Sequence, residues 1–289
     1  MIKNEFFRLV KAKSSLLVIV LLVLIAVPSF VLSMSDKKVF EQQLVNPPED
    51  INLLAVKQIL AEYTGTKFVF DFLYIHEFYL GFCLLLILWI GIFLAVVPQN
   101  QKESGLGNFI IARVPYKKYL GAQLAAQSLC ITCVVAVSTC LILGFAFFMG
   151  GMSFGHTSMG LYTFHASSML LVVLTQSLQL IVLLVLMNAI SSLLNIWIKN
   201  KYVLQAFPLC IFTLAPFIIG STLANLFSPI GSIIVPFIPF QILGGVYTAI
   251  HAQFDQRTIV EALLPLGIYL VLSLALFRCN TKKHEGSYL

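Results

Sequence analysis

The spacing of the charged side chains limits this chain more than any motif in it. No Asp, Glu, Lys or Arg falls between Lys13 and Asp36, Glu77 and Lys102, Lys118 and Lys199, Lys201 and Asp255, or Glu261 and Arg278. A helix crossing a bilayer needs about 20 mainly apolar residues, and these stretches predict six spans, at 15–33, 78–98, 122–149, 169–196, 203–224 and 259–277. The long third stretch takes two of them, divided by a turn-rich segment with Gly150, Gly151, Gly155 and Gly160. With 59% hydrophobic and 10% charged residues, and a mean hydropathy of +0.95, too little polar surface exists to cover a soluble globule. The fold class expected is an all-α polytopic membrane protein, and a soluble enzyme is excluded.

Orientation follows from the basic residues. Residues 1–14 (Lys3, Arg8, Lys11, Lys13), 99–121 (Lys102, Arg113, Lys117, Lys118), the short loop with Lys199 and Lys201, and 278–289 (Arg278, Lys282, Lys283) hold 13 of the 18 Lys and Arg. The positive-inside rule places these four segments in the cytoplasm, so both ends lie inside. Most acids, Asp71 and Glu77 included, fall in the opposite loops, so the pI near 9.0 reports topology and implies no nucleic-acid partner. Residues 225–256 are apolar enough to suggest a seventh crossing. That crossing would put Arg278, Lys282 and Lys283 outside, and Pro229, Pro236 and Pro239 interrupt it, so a re-entrant or external helical pair is expected there. No cysteine lies in an external loop. The Cys130-x-x-Cys133 spacing reads as small apolar packing on a membrane helix, since nothing near it would stabilise a thiolate.

Residues 1–14 alternate apolar Ile2, Phe6 and Leu9 with polar Asn4, Arg8 and Lys11, a pattern suited to a helix in the inner interface or to plain positive-inside anchoring. A signal peptide is the other use of a basic start, but the apolar stretch behind it is too long. The external loop 34–77 contains Pro47-Pro48-Glu49-Asp50 and then an apolar-periodic run to Glu62, which predicts a helix with an acidic N-cap and a stop at Thr64-Gly65, acting as a cap on the spans.

The cytoplasmic segment 99–121 reads QNQKESGLGNFIIARVPYKKYLG. Its middle, 108–114, predicts a short helix whose Phe109, Ile110 and Ile111 serve no solubility purpose. Two readings stay open: a helix pressed against a partner, or an interfacial helix with none. Glu103-x-Gly105, this helix, Arg113-Val114-Pro115-Tyr116 and Lys118, placed between the second and third spans, resemble the ABC-2 type permeases, the membrane subunits of bacterial ATP-binding-cassette exporters. The layout of basic N-terminal helix, six spans and re-entrant pair extends the resemblance over the whole chain. Leu106 departs from it, because a threonine or serine often follows that glycine in the family. The resemblance implies coupling to an ATPase through Glu103, Gly105, Phe109, Ile110, Arg113, Pro115 and Lys118. It also implies a multi-pass protein of the bacterial cytoplasmic membrane that pairs with itself or a similar permease chain. No G-x-x-x-x-G-K-S/T motif occurs, so ATP and Mg belong to separate cassette ATPase subunits, and this chain needs no cofactor of its own.

Asn188, Ser191, Ser192 and Asn195 line one face of the fourth span, with Gln176 and Gln179 nearer its outer end and Gln123 and Gln127 a turn apart in the third. Such groups avoid lipid and serve helix–helix hydrogen bonds first, or contact substrate in a wet path. Pro208 and Pro216 can kink the fifth span. His76-Glu77 lacks the second histidine of H-E-x-x-H, and loop histidines 156, 165 and 251 read as solvated, so neither a catalytic nor a metal site is expected. The expected function is export of an amphipathic or lipidic substrate, such as a drug or antimicrobial peptide. A receptor using loop 34–77, or an intramembrane hydrolase, are the rivals.

Overall fold

The computed structural model of the chain describes residues 2–48, 52–75, 78–151, 157–159, 162–164, 166–210, 214 and 256–285. Helix dominates these residues, and four helical runs are long and apolar enough to cross a membrane: Lys13–Val45, Phe78–Glu103, Tyr116–Gly150 and Val173–Leu193. In chain order the elements are α1 (Ile2–Val10), α2 (Lys13–Val45), α3 (Leu53–Glu62) and α4 (Gly65–Phe70), which continues as a π-turn over Asp71–Ile75. Next come α5 (Phe78–Trp89) with a π-turn over Ile90–Leu94, α6 (Val97–Glu103), α7 (Leu106–Ile111) and α8 (Tyr116–Gly150). A hairpin of β1 (Thr157–Met159) and β2 (Tyr162–Phe164) leads into α9 (Ala166–Leu193), and α10 (Lys201–Leu209) and α11 (Gln256–Glu285) complete the described elements. Residues 225–256 fall almost wholly, and 203–224 largely, outside the described residues, as do Glu49, Asp50 and histidines 76, 156, 165 and 251.

The long helices are apolar on every side yet buried on one. Along α2, Val18, Leu22, Ala26 and Phe30 recur every four residues and are buried, while Leu16, Leu17, Val20, Leu24 and Val31 are each more than half exposed. On α9, Leu180, Leu183 and Met187 are buried and Leu174 and Leu178 exposed. A helix in water carries polar residues on its uncovered face; an apolar uncovered face suits lipid.

The contacts divide into two units. The first holds 1–18, 84–134 and 176–289. Here α10 passes so close to Gly91 that a Cβ there would overlap the Gln205 carbonyl oxygen, and the Gln205 amide donates to Ile92 O at 3.2 Å. Asn200 starts α10 by accepting from the backbone N–H groups of Tyr202 and Val203 at 2.9 and 3.4 Å. Cys130 is buried with its sulfur 4.0 Å from Ser15 Oγ.

The second unit holds 19–83 and 135–175. Phe30 is its centre, with ring centroids 5.5 Å from Phe145, 6.1 Å from Phe68 and 6.3 Å from Phe72. Two expectations for the first external loop change. The cap of α3 is Asn52, whose Oδ1 accepts from Leu54 N and Ala55 N. Gly65 does not end a helix but begins α4, and it is glycine because Gly150 and Phe147 press against it. Asp71, grouped above with the acids of the opposite loops, is 3% exposed. It accepts from Ser33 Oγ at 2.7 Å and lies 2.9 Å from Lys67 Nζ. Gly151, at φ +78°, stops α8 in the left-handed conformation that glycine tolerates. The hairpin beyond it pairs Thr157 with Phe164 and Met159 with Tyr162.

Candidate functional site

The segment between the second and third candidate spans is a chain of short turns, each with a local cause. α6 begins with Pro98 in its first turn and ends at Ser104, after which Gly105 takes φ +74° and donates its N–H to Lys102 O at 3.1 Å. No side chain presses on Gly105, so it is the backbone conformation that calls for glycine. α7 follows and closes when Arg113 N and Val114 N both donate to Ile110 O. The Pro115 carbonyl then accepts from Lys118 N and Tyr119 N, which begins α8. Phe109 is 58% exposed, and the Arg113 guanidinium sits 4.3 Å from its ring centroid. Glu103, Pro115 and Lys118 are exposed, and Ile110 is half-buried.

The four segments grouped by their basic residues are tied to one another. The Gln101 amide donates to Glu5 of α1 at 3.4 Å and accepts from the Tyr119 hydroxyl. Gln99 donates to Lys199 O at 2.8 Å and to Glu103 at 3.1 Å. Tyr116 donates to Asn280 of α11 at 3.1 Å, Asn280 donates to Leu193 O at 2.6 Å, and Lys283 lies over the Trp197 ring. Gln99, Gln101, Tyr119 and Asn280 were not singled out from sequence. The available signal was Glu5, the one acid among the basic residues of 1–14.

The polar residues of the third and fourth candidate spans separate into two kinds. Gln127, fully buried, donates to Leu94 O at 2.9 Å and accepts from Asn188 Nδ2 at 2.9 Å and Ser192 Oγ at 3.3 Å. Ser191 turns back onto Met187 O in its own helix. Gln176 and Gln179 are buried in α9, and Asn195 is half-buried in the 3₁₀ turn after it. Gln123, one turn from Gln127, is 2% exposed, and both of its amide atoms lack a hydrogen-bond partner among the described residues. An unpaired buried amide is costly and calls for water or a ligand group.

Among the described residues no group of three or more His, Cys, Asp or Glu side chains comes together as a metal site. In comparisons with known proteins, the chain matches no family model, no curated protein and no solved structure.

Proposed function

We propose that the chain is the membrane-spanning subunit of an ABC-2 type exporter, a six-span, N-in/C-in protein of the bacterial cytoplasmic membrane. It pairs with a second permease chain and is driven by separate cassette ATPase subunits that bind ATP and Mg. The observation that carries the reading is the exposed pairing of Phe109, on a short helix between two candidate spans, with Arg113 in the turn that follows it. Arginine and aromatic side chains are the residues that dominate protein interfaces. A stacked pair is also pre-ordered, so docking would freeze few rotamers.

Two further observations support it. Glu5, Gln101, Lys199 and Asn280 stand in or beside the four basic segments, and the hydrogen bonds they take part in tie these segments to one another within the first unit. Ties of this kind fit a layout with both ends on one side of the membrane, as six crossings require and seven do not. A push on α7 would pass through α6 and Gln101 to α1 and α8, the kind of linkage a rigid-body transition needs. The ladder of Gln127, Asn188 and Ser192 is neutral, which suits an amphipathic or lipidic cargo better than an ionic one.

The test is copurification of the tagged chain with the cassette ATPase of its host. Replacing Phe109 and Arg113 together by alanine is expected to abolish it. Tyr202→Ala, another exposed aromatic, leaves it intact. Undiminished capture by the double variant would refute the coupling assignment.

A further inference from the structure

A cavity of about 410 Å³ opens between α1, the start of α2 and the run from Phe93 to Ser104. Its walls mix apolar and polar groups. Leu9, Leu94 and Val97 make most of its buried floor, with the buried polar Ser15 and Gln101 among them, while Phe93 is 42% exposed and Arg8, Asn100 and Ser104 add exposed polar groups. Along residues 1–14 the charge is unbalanced as well, with Lys3, Arg8, Lys11 and Lys13 against the single acid Glu5, and Arg8 is the one of these cations that lines the cavity. Glu5 is already engaged, 2.7 Å from the Arg8 guanidinium and 3.4 Å from Gln101 Nε2. That pair holds Arg8 at the mouth and leaves further donors of its five N–H groups for a second acceptor.

A cavity with a largely apolar floor, a cationic mouth and hydroxyl and amide groups complements an amphiphile with an anionic head. We propose that it binds one anionic phospholipid. The phosphate meets Arg8, with Asn100 and Ser104 beside it, and the glycerol end and first methylenes cover Leu94, Val97 and Phe93. The volume falls within the range of small-molecule sites and takes a headgroup, not a whole lipid, so the acyl chains continue along the apolar faces outside. Basic pockets between membrane helices are where such headgroups are held. A free phosphate ion would use the mouth and leave the floor wet. The inference rests on the membrane reading above and not on the ATPase partner.

The experiment is native mass spectrometry of the delipidated full-length chain in detergent, titrated with phosphatidylglycerol, phosphatidylcholine or inorganic phosphate. One phosphatidylglycerol is expected per chain, bound about fivefold more tightly than phosphatidylcholine, which offers Arg8 the same phosphate but brings a choline cation that the guanidinium repels. Arg8→Gln removes that preference. Lys11→Gln makes the same charge change outside the cavity lining and keeps it. Glu5→Gln breaks the ion pair but spares the cation, so retained binding there shows that a loss in Arg8→Gln is not disorder of α1. Equal affinity for the two lipids, equal loss in Arg8→Gln and Lys11→Gln, or displacement of the lipid by equimolar inorganic phosphate would each overturn the proposal. Failure of the native chain to copurify with any cassette ATPase, with lipid binding retained, would sink the exporter reading alone.

Discussion

Gln127 and Gln123 sit one turn apart on α8, are equally buried and are chemically identical, yet replacing them with leucine is expected to move stability in opposite directions. Gln127 makes three hydrogen bonds, to Leu94 O, Asn188 and Ser192. Hydrogen bonds between helices in a membrane contribute roughly 0.6 to 1.7 kcal/mol each, so Gln127→Leu removes about 2 to 5 kcal/mol if all three are lost. The lower end applies if Ser192, whose bond at 3.3 Å is the longest, turns to its own helix as Ser191 does. Leu94 O has no such escape, because it lies in a π-turn whose carbonyls are displaced from the ordinary helical ladder. Gln123→Leu instead removes an amide with no partner among the described residues, and relief of that burial is worth on the order of 1 kcal/mol. Thermal unfolding of the purified variants in one detergent reads both signs. A Gln127→Leu variant as stable as Gln123→Leu would refute the assignment of the hydrogen-bonded core to Gln127. A Gln123→Leu variant that gains stability and loses transport would place Gln123 on the substrate path, where its amide has a use that folding does not supply.

Three other outcomes follow from the packing. Gly91→Ala forces a Cβ into the Gln205 carbonyl and should lower stability by roughly 1 to 3 kcal/mol, whereas Gly121→Ala, in open space, changes it little; thermal unfolding distinguishes them. Lys67→Met leaves the Asp71 carboxylate buried without its cation and should cost roughly 3 to 5 kcal/mol, most of it recovered in Lys67→Met/Asp71→Leu, so a double-mutant cycle showing additive losses would rule out the pair. Burial, and then the nearby Asp36 and Asp71 carboxylates, push the Tyr63 hydroxyl from its ordinary 10.0 up to about 12. Between those values the folded chain keeps a proton that the unfolded chain has lost, so Tyr63 favours folding below pH 10 and that contribution disappears as pH rises through 12. The ultraviolet phenolate difference between the native chain and Tyr63→Phe should therefore develop above the ordinary tyrosine range.

What could be read from the bare sequence, and what could not, divides by the size of the free energies involved. A buried unpaired charge is so costly that charge-free stretches mark membrane-length helices directly, and three of them account for the four helices at Lys13–Val45, Phe78–Glu103, Tyr116–Gly150 and Val173–Leu193. Helix pairing is decided by increments near 1 kcal/mol that depend on register between segments far apart in the chain. The polar face of Asn188 and Ser192 was therefore legible as a face, but not its partner Gln127, 61 and 65 residues away. Asp71 shows the same limit from the other side. It looked like a loop acid because its partner Ser33 is 38 residues distant, although Lys67 at i, i+4 was a visible hint of pairing.

The polar network near α7 suggests why its members escaped notice and why they matter. Gln99, Gln101 and Tyr119 are individually ordinary at the end of a span, where water can satisfy them, so nothing in their spacing demands a partner. Once Gln101 is 3% exposed and bonded to both Glu5 and Tyr119, water no longer serves it, and separating α1 from α6 would strand its amide. A partner that moved α7 and α6 together would then either carry α1 and α8 with them or break those bonds in sequence. The first course costs no exposed polar group, and it would transmit motion from the exposed Phe109–Arg113 stack to the cavity beside Arg8. Lipid binding there and engagement of the stack by a partner would in that case be thermodynamically linked, each altering the affinity of the other by the same factor.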